Sequence, residues 1–189
     1  TFLLTACGGE QWEKTKAPNT ANSVIDSAKL AQIDQYIQSQ MSRQTIPGLS
    51  LAINLDGKVA LQKAYGTTNV ETKALVTSNT IFQIGSVTKQ FTAASIMLLV
   101  QDGRLNLDQS IRVFFSDLPM EWSGITVRHL LQHTAGLYRG EGHLEAFDAE
   151  KIYNMNELVL AISKIPLRDA PGVSFEYSNI GYMVLGALI

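Results

Sequence analysis

Ser86 and Lys89 stand three residues apart in IFQIGSVTKQFTAASIMLLV, residues 81–100, at the head of a long apolar run. A serine hydroxyl is a poor nucleophile at neutral pH and reacts when a base lies within hydrogen-bond reach. At helical spacing, residues i and i+3 share a face one turn apart, which would bring the lysine ammonium to the serine hydroxyl. A lysine in water titrates near ~10.4, so one that serves as a base has to be desolvated or set beside a second cation. Phe82, Ile84 and Phe91 are the apolar neighbours that could desolvate this one. A helix start also offers unpaired N–H groups and a positive dipole end, both suited to an oxyanion forming beside Ser86. The same two residues fit a plainer role, with Ser86 as a helix N-cap and Lys89 as a surface residue of the first turn.

A second group lies in PGVSFEYSNIGYMVLG, residues 171–186, where Tyr177 and Asn179 precede an apolar helix. A phenol held near an ammonium can lose its proton more easily and relay it, and an amide can donate to a substrate carbonyl or accept from Lys89. Here too a structural role is available, with Asn179 or Ser178 as N-cap and Tyr177 as a half-buried aromatic. His129 and His133 are spaced i and i+4, and His143 follows in a polar loop. No Glu lies between the first two as a zinc protease helix requires, so no metal site is expected, and His133 is expected to fix a turn by hydrogen bonding.

These residues need elements to hold them. Leu30, Ile33, Ile37 and Met41 recur at spacings of three and four from Ser27 onward, which predicts an amphipathic helix ending before Pro47 and Gly48. Leu49, Leu51, Ile53 and Leu55 alternate, Asp56-Gly57 reads as a type I′ turn, and Val59, Leu61 and Tyr65 complete a β-hairpin. A hairpin alone is marginal in water, so further strands are expected beside it. The opening stretch predicts a helix from about Ser86 to Asp102, stopped by Gly103 and central because it is apolar on nearly every face. Shorter helices are expected at 127–132, at about 156–164 and from Asn179 onward. The segment YRGEGHLEAFDAEKIY, residues 138–153, is expected to be a connection that could edge a cleft.

With a formal charge of -2 and scattered basic residues, the 189-residue chain has no electrostatic footprint for nucleic acid. A single cysteine, Cys7, excludes an intrachain disulfide and a cysteine-based zinc site. Its setting, TFLLTACGG, resembles the end of a bacterial lipoprotein signal peptide: an apolar run, small residues, then the cysteine that carries lipid. Residues 1–6 are accordingly expected to be a signal-peptide remnant and residues 7–26 a polar tether with an end-to-end reach of roughly 25 Å. Membrane attachment would run through lipid on Cys7, placing the protein in the bacterial cell envelope, facing periplasm or exterior.

GSVTK at 85–89, HLLQHTAGL at 129–137 and PGVSFEYSNIGYMVLG at 171–186, in this order, together with DGRLNLDQSI after the central helix, resemble the serine β-lactamase-related family. That family includes class C β-lactamases, DD-carboxypeptidases, D-aminopeptidases and related esterases, and the likeness covers roughly residues 28–189. The resemblance implies an α+β, β-lactamase/transpeptidase-like fold: an antiparallel sheet packed by helices plus a mostly helical region, with residues 27–189 as the N-terminal portion of the domain. It implies Ser86 as the acylated nucleophile, Lys89 as its activator, Tyr177 acting with Lys89 as general base and then acid, and Asn179 positioning substrate and lysine. Which of Lys89 and Tyr177 takes the serine proton stays open. The Ser86 N–H would be one oxyanion donor.

Relatives also carry Lys or His, a small residue and Gly on a later strand that supplies the second oxyanion N–H, and no copy occurs here. The final helix is still apolar at Ile189, so the expectation is a C-terminally incomplete chain, weakly active or inactive as it stands. The implied function is a serine hydrolase forming an acyl-enzyme on an amide or ester, whether a β-lactam, a D-Ala-type peptide or an ester. No cofactor is implied. The alternative is a non-catalytic envelope lipoprotein that keeps the fold as a binding or scaffold module.

Overall fold

The structure is a computed structural model that describes residues 25–140 and 151–189. The expected signal-peptide remnant, Cys7, nearly all of the tether, and residues 141–150 with His143 lie outside the described residues. Two compact units make up the chain, Thr1–Phe82 and Gln83–Ile189. No described helix is long and apolar enough to cross a membrane.

The first unit is a helix, α1 (Ser27–Gln44), followed by an antiparallel hairpin, β1 (Gly48–Leu55) and β2 (Lys58–Gly66). Asp26 caps α1 by accepting from the Lys29 N–H at 2.7 Å. Thr45, in the left-handed region at φ 55°, ends it, and Pro47 and Gly48 lead into the strand. Asp56 and Gly57 both have positive φ, 49° and 74°, the geometry of a type I′ turn, which matches strand twist. A register irregularity falls between Ile53 and Asn54. Leu49, Leu51 and Ile53 are half-buried, whereas Leu55 and Val59 beside the turn are exposed, so the expected alternation holds only away from the hairpin tip. Asp34 of α1 accepts from the Lys63 ammonium at 2.6 and 2.7 Å and from the Tyr65 hydroxyl at 2.7 Å, tying helix to strand. Burial and that carboxylate push the Tyr65 phenol up to about 12. Among the described residues the sheet has two strands, with one isolated bridge, Thr67 to Leu75, beyond it.

The second unit is helical. A 3-10 turn at Gly85–Val87 runs into α2 (Thr88–Gln101), and two further 3-10 turns, Ile111–Val113 and Met120–Gly124, precede α3 (Val127–Leu131). Two more helices follow, α4 (Met155–Ile162) and α5 (Asn179–Leu188). Gly103, at φ 69°, closes α2 as expected. The core gathers Ile96, Ile111, Trp122, Ile125, Leu130 and Ile162 around Ile180, Val184 and Leu185 of α5.

Two expectations are corrected here. The helix that packs against most others is α5, which touches α2, α3 and α4, not α2. Only Ile96 of α2 is fully buried, while Phe91 and Leu98 are 59% and 60% exposed, so composition overstated how many of its faces are covered. The helix also begins later, at Thr88, because Ser86 sits in the 3-10 turn, and no side chain caps either segment. Ser86 is therefore not an N-cap.

The backbone of residues 133–139 forms a frame for residues 168–179. Gly136 O accepts from Arg168 N at 2.8 Å, Thr134 O from Gly172 N at 2.7 Å, His133 O from Glu176 N at 2.9 Å and Arg139 O from Asn179 N at 3.0 Å. At Gly136 φ is 76°, and a Cβ there would run into the Asp169 carbonyl oxygen. Gly136→Ala combines a left-handed backbone with that clash and is expected to cost about 1–3 kcal/mol or more. A urea titration should show a lowered midpoint with an unchanged slope; an unchanged midpoint would refute close packing of the two segments.

Candidate active site

Four of the five residues picked out in the sequence meet in the second unit. The Tyr177 hydroxyl donates to Ser86 Oγ at 2.6 Å. Lys89 Nζ donates to Asn179 Oδ1 at 2.7 Å and lies 3.4 Å from Ser86 Oγ. The fifth, Cys7, lies outside the described residues. Ser86 and Lys89 come together through local geometry, one in the 3-10 turn and the other in the first turn of α2. Tyr177 and Asn179 arrive from about ninety residues away, so their placement depends on the fold of the whole unit.

Local chemistry explains how that placement is held. Ser178, only 3% exposed, separates the two residues and caps α5, accepting from Gly181 N at 3.0 Å while its hydroxyl donates to Tyr138 O at 2.8 Å. With Ser178 turned into the protein, Tyr177 is left just outside the helix and Asn179 becomes its first residue. His133 fixes the same turn, its Nδ1 accepting from Ser178 N at 3.0 Å. Its backbone takes φ 59°, so α3 does not continue through it and the i, i+4 relation with His129 is lost. His129 does a different job: it completes a capping box with Thr126 at the start of α3. No described group of three or more His, Cys, Asp and Glu is arranged to hold a metal ion.

Electron-rich groups surround the lysine. Besides the Asn179 amide oxygen, Nζ sits 4.9 Å from the centroid of the Tyr177 ring and 5.5 Å from that of Tyr182. The hydrogen bond with Lys89 and, after it, that with Ser86 pull the Tyr177 phenol below its usual value, and the Arg139 guanidinium, 5.4 Å from the ring centroid, adds to this. Burial, with a contribution from Tyr177, pushes Tyr182 the other way. Two phenols near one ammonium thus differ in acidity, and the more acidic one touches the serine.

Sequence reasoning missed Tyr182 and Arg139. Tyr182 was detectable, because it lies three residues beyond Asn179 on the same helix face and so returns to the same lysine. Arg139 carried no signal: it faces the Tyr177 ring because Asn179 N binds its carbonyl, a contact between segments forty residues apart.

The arrangement can move a proton. A phenol of lowered pKa on a serine hydroxyl, with an ammonium to stabilise the phenolate, is an acid–base pair for activating an oxygen nucleophile. Lys89→Met is expected to return the Tyr177 titration toward the ordinary range near 10.0. Ultraviolet difference titration, with Tyr177→Phe to identify the transition, measures this; an unmoved transition would mean that Lys89 does not set the acidity of Tyr177.

Residues 33–189 match the family described as Beta-lactamase. The protein flp of Staphylococcus aureus strain N315 is 36% identical over 164 residues, covering 84% of this chain and 32% of that protein. A class C β-lactamase structure superposes with a TM-score of 0.71 at 30% identity, over 88% of this chain and 45% of the other. The D-amino acid amidase of Ochrobactrum anthropi SV3, solved with D-phenylalanine, gives a TM-score of 0.70 at 32% identity, over 85% of this chain and 44% of the other. The chain therefore spans about a third of the length of the curated relatives it matches first. Sequence and fold agree, and the chain belongs to the β-lactamase family, with its β-lactamase/transpeptidase-like fold.

Proposed function

We propose that this chain carries the nucleophile and the proton-transfer groups of a serine hydrolase that works through an acyl-enzyme. The observation that carries the reading is the 2.6 Å hydrogen bond between the Tyr177 and Ser86 hydroxyls, beside a lysine held by Asn179. Ser86 Oγ attacks the acyl carbon of an amide or ester, and its proton passes to the Tyr177 oxygen. The lowered pKa of Tyr177, which makes its phenolate available, and its shorter contact with Ser86 favour it over Lys89 as the proton acceptor. Lys89 stabilises the phenolate by charge.

Asn179 holds Lys89 through its amide oxygen, which leaves its NH2 group to donate to a substrate carbonyl. The Ser86 N–H, at the start of a helical segment, is one donor to the oxyanion. Collapse of the tetrahedral intermediate breaks the bond to the leaving nitrogen or oxygen, which takes the proton back from Tyr177. Water then attacks the ester of Ser86 with Tyr177 again as base, releasing the acid and restoring the serine. The substrate class is a small molecule or peptide with a reactive amide or ester: a β-lactam, a D-amino-acid amide or peptide, or an ester. A scaffold protein would need the fold but not a serine, phenol, ammonium and amide in one hydrogen-bonded set.

For the N-terminal segment, the reading is lipid attachment at Cys7 and a place in the bacterial cell envelope, supported by the TFLLTACGG sequence. Metabolic labelling with palmitate should disappear in Cys7→Ala; label that persists would refute attachment there.

A fluorophosphonate or β-lactam probe should leave a mass adduct on Ser86 of the intact protein and none on Ser86→Ala. Tyr177→Phe should slow the labelling by about 10²–10⁴-fold, the usual worth of a positioned acid–base group. An adduct at another residue, or unchanged labelling in Tyr177→Phe, would overturn the assignment.

A further inference from the structure

His133 grips the chain on both sides of Tyr177. Its carbonyl oxygen accepts from Glu176 N at 2.9 Å and its Nδ1 accepts from Ser178 N at 3.0 Å. Its ring also packs against that of Tyr177, with centroids 4.7 Å apart and planes at 34°, against Tyr182 at 5.0 Å, and meets Phe175 edge-on at 5.8 Å. The acceptor role of Nδ1 dictates the protonation state. A neutral imidazole with its proton on Nε2 can accept from Ser178 N, whereas an imidazolium would set an N–H against an N–H.

We propose that His133 is a positioning residue of the serine hydrolase site, which must be neutral for Tyr177 to sit correctly against Ser86. The inference rests on the reading of Ser86 as nucleophile and Tyr177 as its base. Protonating His133 breaks the bond to Ser178 N and puts a cation against the face of Tyr177 and near Lys89. The turn that carries Tyr177 and Asn179 then loses one of its ties, and both catalytic contacts loosen together.

The surroundings keep the ring neutral. Among the described residues, the titratable or charged groups facing it are Lys89 from α2, Tyr177 before α5 and Tyr182 on α5; Arg139 faces the Tyr177 ring from the adjoining segment. Glu176, bound through its N–H, directs its carboxylate to Arg168. Burial first and the Lys89 charge second hold His133 below the usual 6.5. The unfolded chain therefore takes up this proton as pH falls past about 6.5, before the folded one does. The associated stability is present above that pH and is lost as pH falls through the lower folded value.

The test is the rate of fluorophosphonate labelling of Ser86 in the intact protein between pH 8 and 4. In that reaction the Oγ–P bond forms, the P–F bond breaks, the serine proton goes to Tyr177 and fluoride leaves. For wild type, log rate should fall with a one-proton slope while Tyr177 alone is protonated. It should steepen toward a two-proton slope below the imidazole range, as His133 takes up the second proton. His133→Asn accepts the left-handed backbone, offers an amide oxygen to Ser178 N and does not titrate. It should label a few-fold more slowly at neutral pH and keep a one-proton slope to the acid end. His133→Phe keeps an aromatic ring but no acceptor and should label up to about 10²-fold more slowly at all pH values, the scale of a misplaced catalytic group.

Thermal melts at pH 7 report whether each variant folds. Should His133→Asn fail to fold, the NMR titration of His133 in wild type takes its place and should coincide with the second proton of the labelling profile. A two-proton slope that survives in His133→Asn, a wild-type limb that never steepens, or a His133 titration unrelated to the limb would overturn the proposal. Wild type that takes no label at any pH would overturn the underlying reading of Ser86 instead.

Discussion

The pairing of residues 133–139 with residues 168–179 is the constraint on which the site depends. Ser86 and Lys89 are neighbours along one helical path and need little help to meet. Tyr177 and Asn179 reach them because four backbone carbonyls, one imidazole nitrogen and one serine hydroxyl hold a long irregular segment against the end of α3. Irregular backbone in a protein interior must find partners for its N–H and C=O groups. Here the same hydrogen bonds that satisfy this requirement also fix the direction of two side chains.

Cation placement is the second organising feature. One ammonium serves a serine, an amide and two aromatic rings, and the surrounding fold makes the two phenols unequal. Tyr182, more buried and with its hydroxyl on Leu131 O at 3.2 Å, holds its proton more tightly. Tyr177, facing Lys89 and Arg139, holds it less tightly. The difference lies in which one is packed away and which one meets the charge.

Much of the fold could be read from local pattern. The capped amphipathic helix over Ser27–Gln44, the Asp56-Gly57 hairpin and the helices at 127, 155 and 179 are each specified within a few residues of sequence, by period, turn chemistry and glycine. Relations between elements were less legible. The long apolar run around Leu98 predicted a central helix, but apolar composition does not say how many faces meet a neighbour, and α5 takes that place. In the site, Ser86, Lys89, Tyr177 and Asn179 were visible through their chemistry and ordered motifs. Arg139 was not, since nothing near it in sequence points toward Tyr177, whereas Tyr182, three residues beyond Asn179, carried a signal in its helical spacing alone. Ser86 looked like a cap and is none, because a 3-10 turn intervenes before α2.

The Tyr177-Ser178-Asn179 triplet places a buried capping residue between two residues that face the site. Its length is therefore fixed as firmly as its composition. An inserted residue would leave the cap or Tyr177 in register but not both, and a deletion would merge the two. Over evolutionary drift this triplet should hold its length as firmly as its side chains.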